Sequence, residues 1–400
     1  MLRKALLVDT SLYSYSGHCL QYLLSLAEIL KTSGFEVHIA GHRSMAINLP
    51  NDYVCHAVFS YMVDGLTEQM HSISDRLKIR DTHENAIEKE LTDLCNKINI
   101  NNNDVVLINT VRQWPLRGIG RWLSRFAPTN QPLTSVILHF TAFPRTYGNQ
   151  HWVSEMYHEN LEFLHNLQIA NLQFFADTKE LVNEYNLYNS VLVKEICIPH
   201  VQPSLSETHV ERDHNNKVCI TYLGEARDNK GFYIIPSIFQ YLQRKRYMKH
   251  ISVEIQNFTF QPNNASFLTS MARLAPYDIK YYNYQLTNHE YALILDNADI
   301  VLLPYQLENY HSQSSGILAE AIGAGKRVLT TAGTWAGRQA IEFRVGACAP
   351  QDDWLSYGKE TVRLIEEIMD NYINTKEAAA RWTQIHSSKE FVKKILRTED

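Results

Sequence analysis

The chain has 400 residues, 45% hydrophobic and 20% charged, which is too long for one ordinary core and suits two domains of similar size. A net charge of −5 argues against a protein that binds nucleic acid through a basic surface. Six scattered cysteines without a CxxC spacing argue against a zinc site or a disulfide framework, and they favour a reducing, cytoplasmic compartment.

The first half of the chain alternates short apolar runs with helical patterns. Residues 5–8 form a continuous apolar run, typical of a parallel strand buried on both faces, rather than a signal peptide. Apolar residues at three- and four-residue spacing over 20–30 predict a helix that ends at Gly34. Further strands are predicted at 37–40, 104–108, 135–138, 171–176 and 194–198. No window has the 18 or so apolar residues of a membrane span.

The second half repeats this alternation after a polar stretch, 200–216, which we interpret as an interdomain linker. The next strands are predicted at 218–223, 251–255, 300–303 and 327–330, with helices at 232–242, 288–297 and 316–323. The pattern predicts an α/β protein with mostly parallel sheets in two Rossmann-like domains. Their bounds are 1–199 and 217–375, and residues 376–400 form a C-terminal helix that packs back on the first domain.

Ligands of such folds bind beyond the carboxyl ends of the strands, so the loops there hold the candidate residues. Arg227 and Lys230 follow the strand at 218–223 and precede a helix whose free amides favour anions. Fixed positive charge at this place suits a departing diphosphate. The alternative interpretation is a solvated turn with two incidental cations.

A second candidate loop opens the helix at 316–323. Hydroxyls and amides of Ser314, Ser315 and Gly316 form an anion-accepting helix start. Glu320 lies one turn further along, where a carboxylate suits the vicinal diol of a ribose. Alternatively, Glu320 caps the helix or pairs with Lys326 or Arg327.

Two candidates follow strands of the first half. Gly17 lies in the loop after the first strand, where a glycine lets the backbone approach a ligand. His139 ends the strand at 135–138. A purely structural role remains the alternative for each residue.

These motifs together resemble retaining glycosyltransferases of family 4, over most of the C-terminal half and less distinctly over the N-terminal half. The resemblance is carried by Lys230-Gly231, by the strand at 299–305 and by the segment 325–329. Family members have two glutamates eight residues apart; the second matches Glu320, whereas the first is Ser312 here. The family's arginine would fall at Glu225, so Arg227 is offset.

The resemblance implies a GT-B fold, with two Rossmann-like domains facing across a cleft, the first on the acceptor side. It implies transfer of a sugar from a nucleoside-diphosphate sugar to a saccharide, lipid-linked or protein acceptor, with retention and without metal or cofactor. Arg227, Lys230 and the loop 314–316 would stabilise the departing diphosphate. Gly17 would lie near the donor phosphates, Glu320 would bind the ribose, and His139 would position the reacting sugar.

The segment 111–126 is of a different kind, because arginines alternate with aromatic residues and no acid interrupts them. This pattern suits peripheral contact with an anionic membrane at its inner face. The alternative is a surface helix whose aromatic residues pack on the sheet. The residues concerned are Arg112, Trp114, Arg117, Arg121, Trp122 and Arg125.

Two other functions are compatible with the same fold. A nucleotide-sugar epimerase or hydrolase would act on the donor without an acceptor. A non-catalytic module would only bind a nucleotide sugar, and the replacement of the first glutamate by Ser312 keeps that alternative open.

Overall fold

The computed structural model describes residues 2–13, 18–45, 53–61, 72–144, 151–199, 217–259, 265–274, 277–370 and 375–397. The chain divides into two compact units: Met1–Pro199 together with Ser387–Asp400, and His200–His386. The predicted linker, 200–216, lies outside the described residues.

The first unit is built around one parallel sheet. Its strands are β1 (Arg3–Asp9), β2 (Phe35–His42), β3 (Val54–Phe59), β4 (Val105–Asn109), β5 (Leu133–Leu138), β6 (Leu172–Ala176) and β7 (Val193–Glu195). Its helices are α1 (His18–Thr32), α2 (Ile73–Ile98), α3 (Leu116–Leu123), α4 (His151–Asn166), α5 (Lys179–Asn186) and a last helix at Ser388–Leu396. The strand order is β3-β2-β1-β4-β5-β6-β7, and every pair is parallel.

Both faces of this sheet are covered, which explains the continuous apolar run of β1. Leu6 and Val8 point to one face and pack in a cluster that includes Trp122. Ala5 and Leu7 point to the other face and join a second cluster. A strand whose side chains are buried on both faces needs no polar alternation, as the sequence predicts.

The second unit has its own parallel sheet, of order β10-β9-β8-β11-β12-β13. Its strands are β8 (Val218–Tyr222), β9 (Ile251–Gln256), β10 (Ile279–Tyr282), β11 (Ile300–Leu303), β12 (Arg327–Thr331) and β13 (Gly346–Ala349). Its helices are α6 (Ile235–Arg244), α7 (Ala265–Ala272), α8 (Asn288–Asn297), α9 (Leu307–Tyr310), α10 (Gly316–Gly323), α11 (Trp335–Glu342), α12 (Trp354–Met369) and α13 (Lys376–Ile385). Two parallel α/β sheets confirm the predicted fold class.

The stretch predicted as one C-terminal helix, 376–400, forms two helices that belong to different units. Helix α13 lies in the second unit, whereas α14 (Ser388–Leu396) lies in the first. Phe391 of α14 is fully buried among apolar residues of the first unit. The side chain of Gln173 in β6 donates to the carbonyl of Ile395 at 2.8 Å. Helix α14 therefore completes the core of the first unit.

The expectation that Trp114 and Trp122 of the segment 111–126 contact a membrane is wrong, because both are core residues. Trp122 is fully buried and Trp114 is 3% exposed, so neither ring is available to a lipid surface. Helix α3 presents its apolar side to the sheet, which is the alternative that the sequence left open. Within the described ranges, no helix is long and apolar enough to cross a membrane.

The arginines of this segment are occupied as well. The guanidinium of Arg112 lies over the Phe140 ring, 3.7 Å from its centroid. The other three arginines form ion pairs with carboxylates of α2. These are Arg117 with Glu84 at 3.9 Å, Arg121 with Glu84 at 3.4 Å, and Arg125 with Glu88 at 2.6 Å. These charges serve the packing of α3 on α2.

Candidate functional site

The loop after β8 is fixed tightly against the end of β11. It contains a short 3-10 turn, Asp228–Lys230, followed by Gly231 with φ of 67°. A Cβ atom on Gly231 would lie 1.7 Å from the carbonyl oxygen of Pro304. Only glycine fits both the left-handed backbone and this close approach. Gly231 therefore sets where the side chain of the preceding Lys230 begins.

Lys230 brings its ammonium group to the backbone of Gly224 and to the start of α10. A Cβ atom on Gly224 would lie 3.0 Å from Lys230 Nζ and 2.7 Å from Ile317 Cδ1. Ile317 belongs to the first turn of α10, so the Lys230 ammonium and a side chain of that turn both lie beside Gly224. Among the residues that the structure describes, the ammonium has no hydrogen-bond or ion-pair partner.

Burial, together with the nearby Arg227 cation and against the opposing effect of Glu225, lowers the pKa of Lys230 to about 8. Among the described residues no carboxylate forms an ion pair with this ammonium within 4 Å, and a partly desolvated cation in that position gains from a bound anion. The surroundings of Lys230 thus favour a ligand with negative charge.

Arg227 is placed differently from Lys230. Its Nε lies 3.4 Å from Glu225 Oε2, and the side chain is 39% exposed. Glu225, which occupies the place of the family's arginine, therefore forms an ion pair with Arg227. Part of the Arg227 charge is therefore balanced by Glu225.

Ser315 caps the first turn of α10, and Tyr305 contacts this cap. Ser315 is the N-cap residue, and its hydroxyl accepts from the Leu318 amide at 3.2 Å. The Tyr305 hydroxyl lies 3.1 Å from Ser315 Oγ. Ser314 and Gly316 flank the cap and are partly exposed. Free amides at this helix start add to the positive potential around Lys230.

Glu320 lies on α10 and is hydrogen-bonded to the hydroxyl of Tyr291, a residue of α8. Burial raises the pKa of Glu320 to about 7, and the Tyr291 hydrogen bond opposes this. The alternative partners are engaged elsewhere: Lys326 Nζ donates to the Asp296 carbonyl at 2.5 Å, and Arg327 pairs with Glu367. The carboxylate is thus held by a tyrosine that sequence reasoning did not single out.

Ser312, which stands where the family has its first glutamate, packs inside the protein. Ser312 is buried, and its hydroxyl lies 3.1 Å from His311 Nδ1. Arg338 of α11 donates to the carbonyl of His311, and also to that of Gly333 at 2.8 Å. Arg338 therefore fixes the loop that leads to α10. Nothing in the sequence distinguishes it from an ordinary surface arginine.

In the first unit, His139 is part of a polar chain that runs along the carboxyl ends of four neighbouring strands. His139 Nδ1 lies 2.8 Å from Asp177 Oδ2, and His139 Nε2 lies 2.8 Å from Asn109 Oδ1. Asn109 Nδ2 donates to Asp9 Oδ2 at 3.0 Å, and the Thr110 hydroxyl donates to the same oxygen at 2.7 Å. Protein groups thus orient the imidazole on both sides.

Two further features mark this polar chain. Thr110 has φ of 55°, a left-handed backbone that is an outlier for a β-branched residue and is concentrated at functional sites. Asp9 is fully buried, and burial raises its pKa against the hydrogen bonds from Thr110, Ser11 and Asn109. Asp9 and Asn109 each end an apolar strand, β1 and β4, and this position is the signal in the sequence that could have found them. Gly17 lies outside the described residues.

No set of three or more histidine, cysteine, aspartate or glutamate side chains is arranged to hold a metal ion in the part of the chain that is described. Lys230, Ser315 and Glu320 all lie in the second unit.

Comparison with known proteins identifies the fold. The chain matches no protein-family model, and no curated protein sequence is similar to it. Solved structures match over nearly the whole chain. Sucrose-phosphate synthase from Thermosynechococcus elongatus is 11% identical, with a TM-score of 0.68 over 99% of this chain and 98% of that one.

Two further structures show the same likeness. Trehalose-6-phosphate synthase from Burkholderia multivorans is 10% identical, with a TM-score of 0.71 over 99% of this chain and 98% of that one. Anabaena HepE, solved in complex with UDP, is 12% identical, with a TM-score of 0.62 over 99% of both chains. The chain therefore has the GT-B fold of these proteins, as predicted.

Proposed function

We propose that the chain is a glycosyltransferase that moves a sugar from a nucleoside-diphosphate sugar to a saccharide, lipid-linked or protein acceptor, with retention of configuration. The observation that carries the proposal is the ammonium of Lys230, which has no hydrogen-bond or ion-pair partner in the described part of the chain and lies near Ile317 in the first turn of α10. A diphosphate is the ligand that uses both a point cation and free helix amides. The fold shared with sugar-nucleotide enzymes supports the same class of donor.

In the proposed reaction, Lys230 and the amides at 314–316 stabilise negative charge as the diphosphate leaves. Arg227, which lies beside Glu225, adds positive charge. Glu320 binds the ribose, and His139, held by Asn109 and Asp177, positions the reacting sugar. These roles follow the family resemblance, as do retention, the acceptor class and transfer without a metal.

Calorimetry with UDP, GDP and ADP in the presence of EDTA tests the proposal. We expect one of these ligands to bind without metal, and Lys230→Ala to weaken it by about 1.5–3 kcal/mol, the range for a lost charge-assisted hydrogen bond. Lys249→Ala is the control, because Lys249 is an exposed lysine in the short turn Met248–His250, which follows α6. Unchanged affinity in the Lys230 variant would contradict the proposed diphosphate site.

A further inference from the structure

Two tyrosines hold the polar residues of α10, one at each end of the predicted donor site. Tyr305, after β11, places its hydroxyl 3.1 Å from Ser315 Oγ at the helix start. Tyr291, on α8, donates its hydroxyl to Glu320 Oε2 one turn further along. The two hydroxyls are chemically alike, but they support different parts of α10.

Tyr291 leaves one oxygen of Glu320 available. Oε2 accepts the tyrosine hydroxyl, whereas Oε1 has no hydrogen-bond partner within the described ranges. A phenol that donates to a carboxylate stabilises its anionic form and fixes its rotation. The remaining oxygen is then an oriented acceptor, and hydroxyl groups are the donors that it suits.

We propose that Tyr291 is a positioning residue that sets sugar specificity in the nucleotide: it orients Glu320 so that Oε1 accepts from the ribose 2′-hydroxyl. The site then selects a ribonucleoside diphosphate over its 2′-deoxy form. This inference rests on the proposed function, since it requires a nucleoside diphosphate at α10. A site built to hydrogen-bond a hydroxyl rejects the analogue that lacks it, because the polar group is left unpaired.

The protonation of Glu320 gives a second signature. Burial raises the pKa of its carboxyl group to about 7, and the Tyr291 hydrogen bond lowers it. Removing the phenol therefore raises this pKa, and less of the anion is present near neutral pH. The anionic form is recovered above the pKa, so a Tyr291→Phe variant loses more ribose recognition at pH 6 than at pH 8.

The experiment measures the affinities of UDP, GDP, ADP, their 2′-deoxy forms and inorganic pyrophosphate for the full chain. We expect the wild-type protein to prefer the ribose form of its nucleotide by about tenfold, the equivalent of one hydrogen bond to a charged group. Tyr291→Phe should reduce this ratio to near one and leave pyrophosphate unaffected. The loss should be larger at pH 6 than at pH 8.

Two matched variants separate this role from a general effect on folding. Tyr305→Phe removes the other hydroxyl, and we expect it to leave the ribose preference intact. Tyr284→Phe removes an exposed hydroxyl that bonds Glu290 in the first turn of α8, and it should change none of the affinities. If Tyr291→Phe fails to fold, Glu320→Ala removes the acceptor itself, and it should abolish the ribose preference and leave pyrophosphate unaffected.

The outcomes distinguish the two proposals. A Tyr291→Phe protein that keeps the wild-type ribose preference overturns this inference alone. Equal losses for pyrophosphate and the nucleotide also overturn it, since they indicate a collapse of α10. If the wild-type protein binds none of the nucleotides, the proposed function fails and this inference fails with it.

Discussion

The two cation-rich regions of this chain look alike in sequence and differ in what the fold places opposite them. On α3 and just after it, Arg117, Arg121 and Arg125 each have a carboxylate of α2 within 4 Å. In the loop after β8, the Lys230 ammonium lies near Ile317 of α10 and forms no ion pair within 4 Å with a carboxylate of the described residues. A cation becomes a candidate for binding only where the fold leaves it unpaired, and spacing along the chain does not reveal this.

The first region also shows why its charges are not available to a ligand. The Glu84 side chain is 3% exposed and lies within 4 Å of arginines on two helices, including Arg80 at 3.7 Å. Burial raises the pKa of Glu84, and the surrounding arginines oppose this. A buried carboxylate needs such partners, so these arginines are committed to the structure.

The largest expected effect comes from neutralising that carboxylate. Glu84→Gln should lower the free energy of unfolding by about 2 kcal/mol, because three arginines lose the anion that they share; the burial that raises the Glu84 pKa offsets part of the loss. Urea denaturation measures the change. Glu88→Gln is the control: Glu88 is 15% exposed and should cost less. Equal, small losses would show that the arginines on α3 are not structurally committed.

A change of opposite sign is expected at Lys230. Its pKa is lowered from 10.5 to about 8, so at pH 7 the folded protein holds a charge that burial disfavours. Lys230→Met should therefore raise the free energy of unfolding at pH 7, by about 1 kcal/mol after allowance for solvent screening. The gain should disappear as pH rises from 8 to above 10.5, because the wild-type lysine is then neutral in both states.

Urea denaturation of Lys230→Met at pH 7 and at high pH measures this difference. A destabilised variant at pH 7 would mean that the lysine is paired within the protein, and the contrast with α3 would fail.

The smallest effect on the free energy of unfolding is expected for Arg125, the most exposed of the three arginines. Arg125 is 59% exposed and pairs with Glu88 at 2.6 Å. Arg125→Ser should change the free energy of unfolding by less than about 0.5 kcal/mol, as for other surface ion pairs. Thermal unfolding in low and high salt measures the change. A loss as large as that of Glu84→Gln would mean that exposure does not rank these arginines.

The sequence predicts the parts of this structure that depend on local pattern. The buried run of β1, the α/β alternation and the position of Lys230 before a helix all follow from neighbouring residues. The roles of Arg117 and Arg121 do not, because their partner Glu84 lies on another helix. A helix period gives the direction of a side chain, but not the charge that faces it.

Long-range contacts also explain what was missed around the candidate sites. Asn109 and Asp9 are hydrogen-bonded although 100 residues separate them. Tyr291 meets Glu320 across 29 residues, from a different helix. Each of these residues is unremarkable in its own segment. Their arrangement depends on which strands and helices become neighbours, which the sequence pattern does not specify.

The placement of α14 has a consequence for how the chain folds during synthesis. The second unit is a single stretch of sequence, His200–His386, whereas the first is completed by Ser387–Asp400. As the chain leaves the ribosome, the second unit can close its core while the first still lacks Phe391 and Ile395. The first unit is thus synthesised first but completed last. The apolar face that α14 covers stays exposed while nearly two hundred further residues are translated.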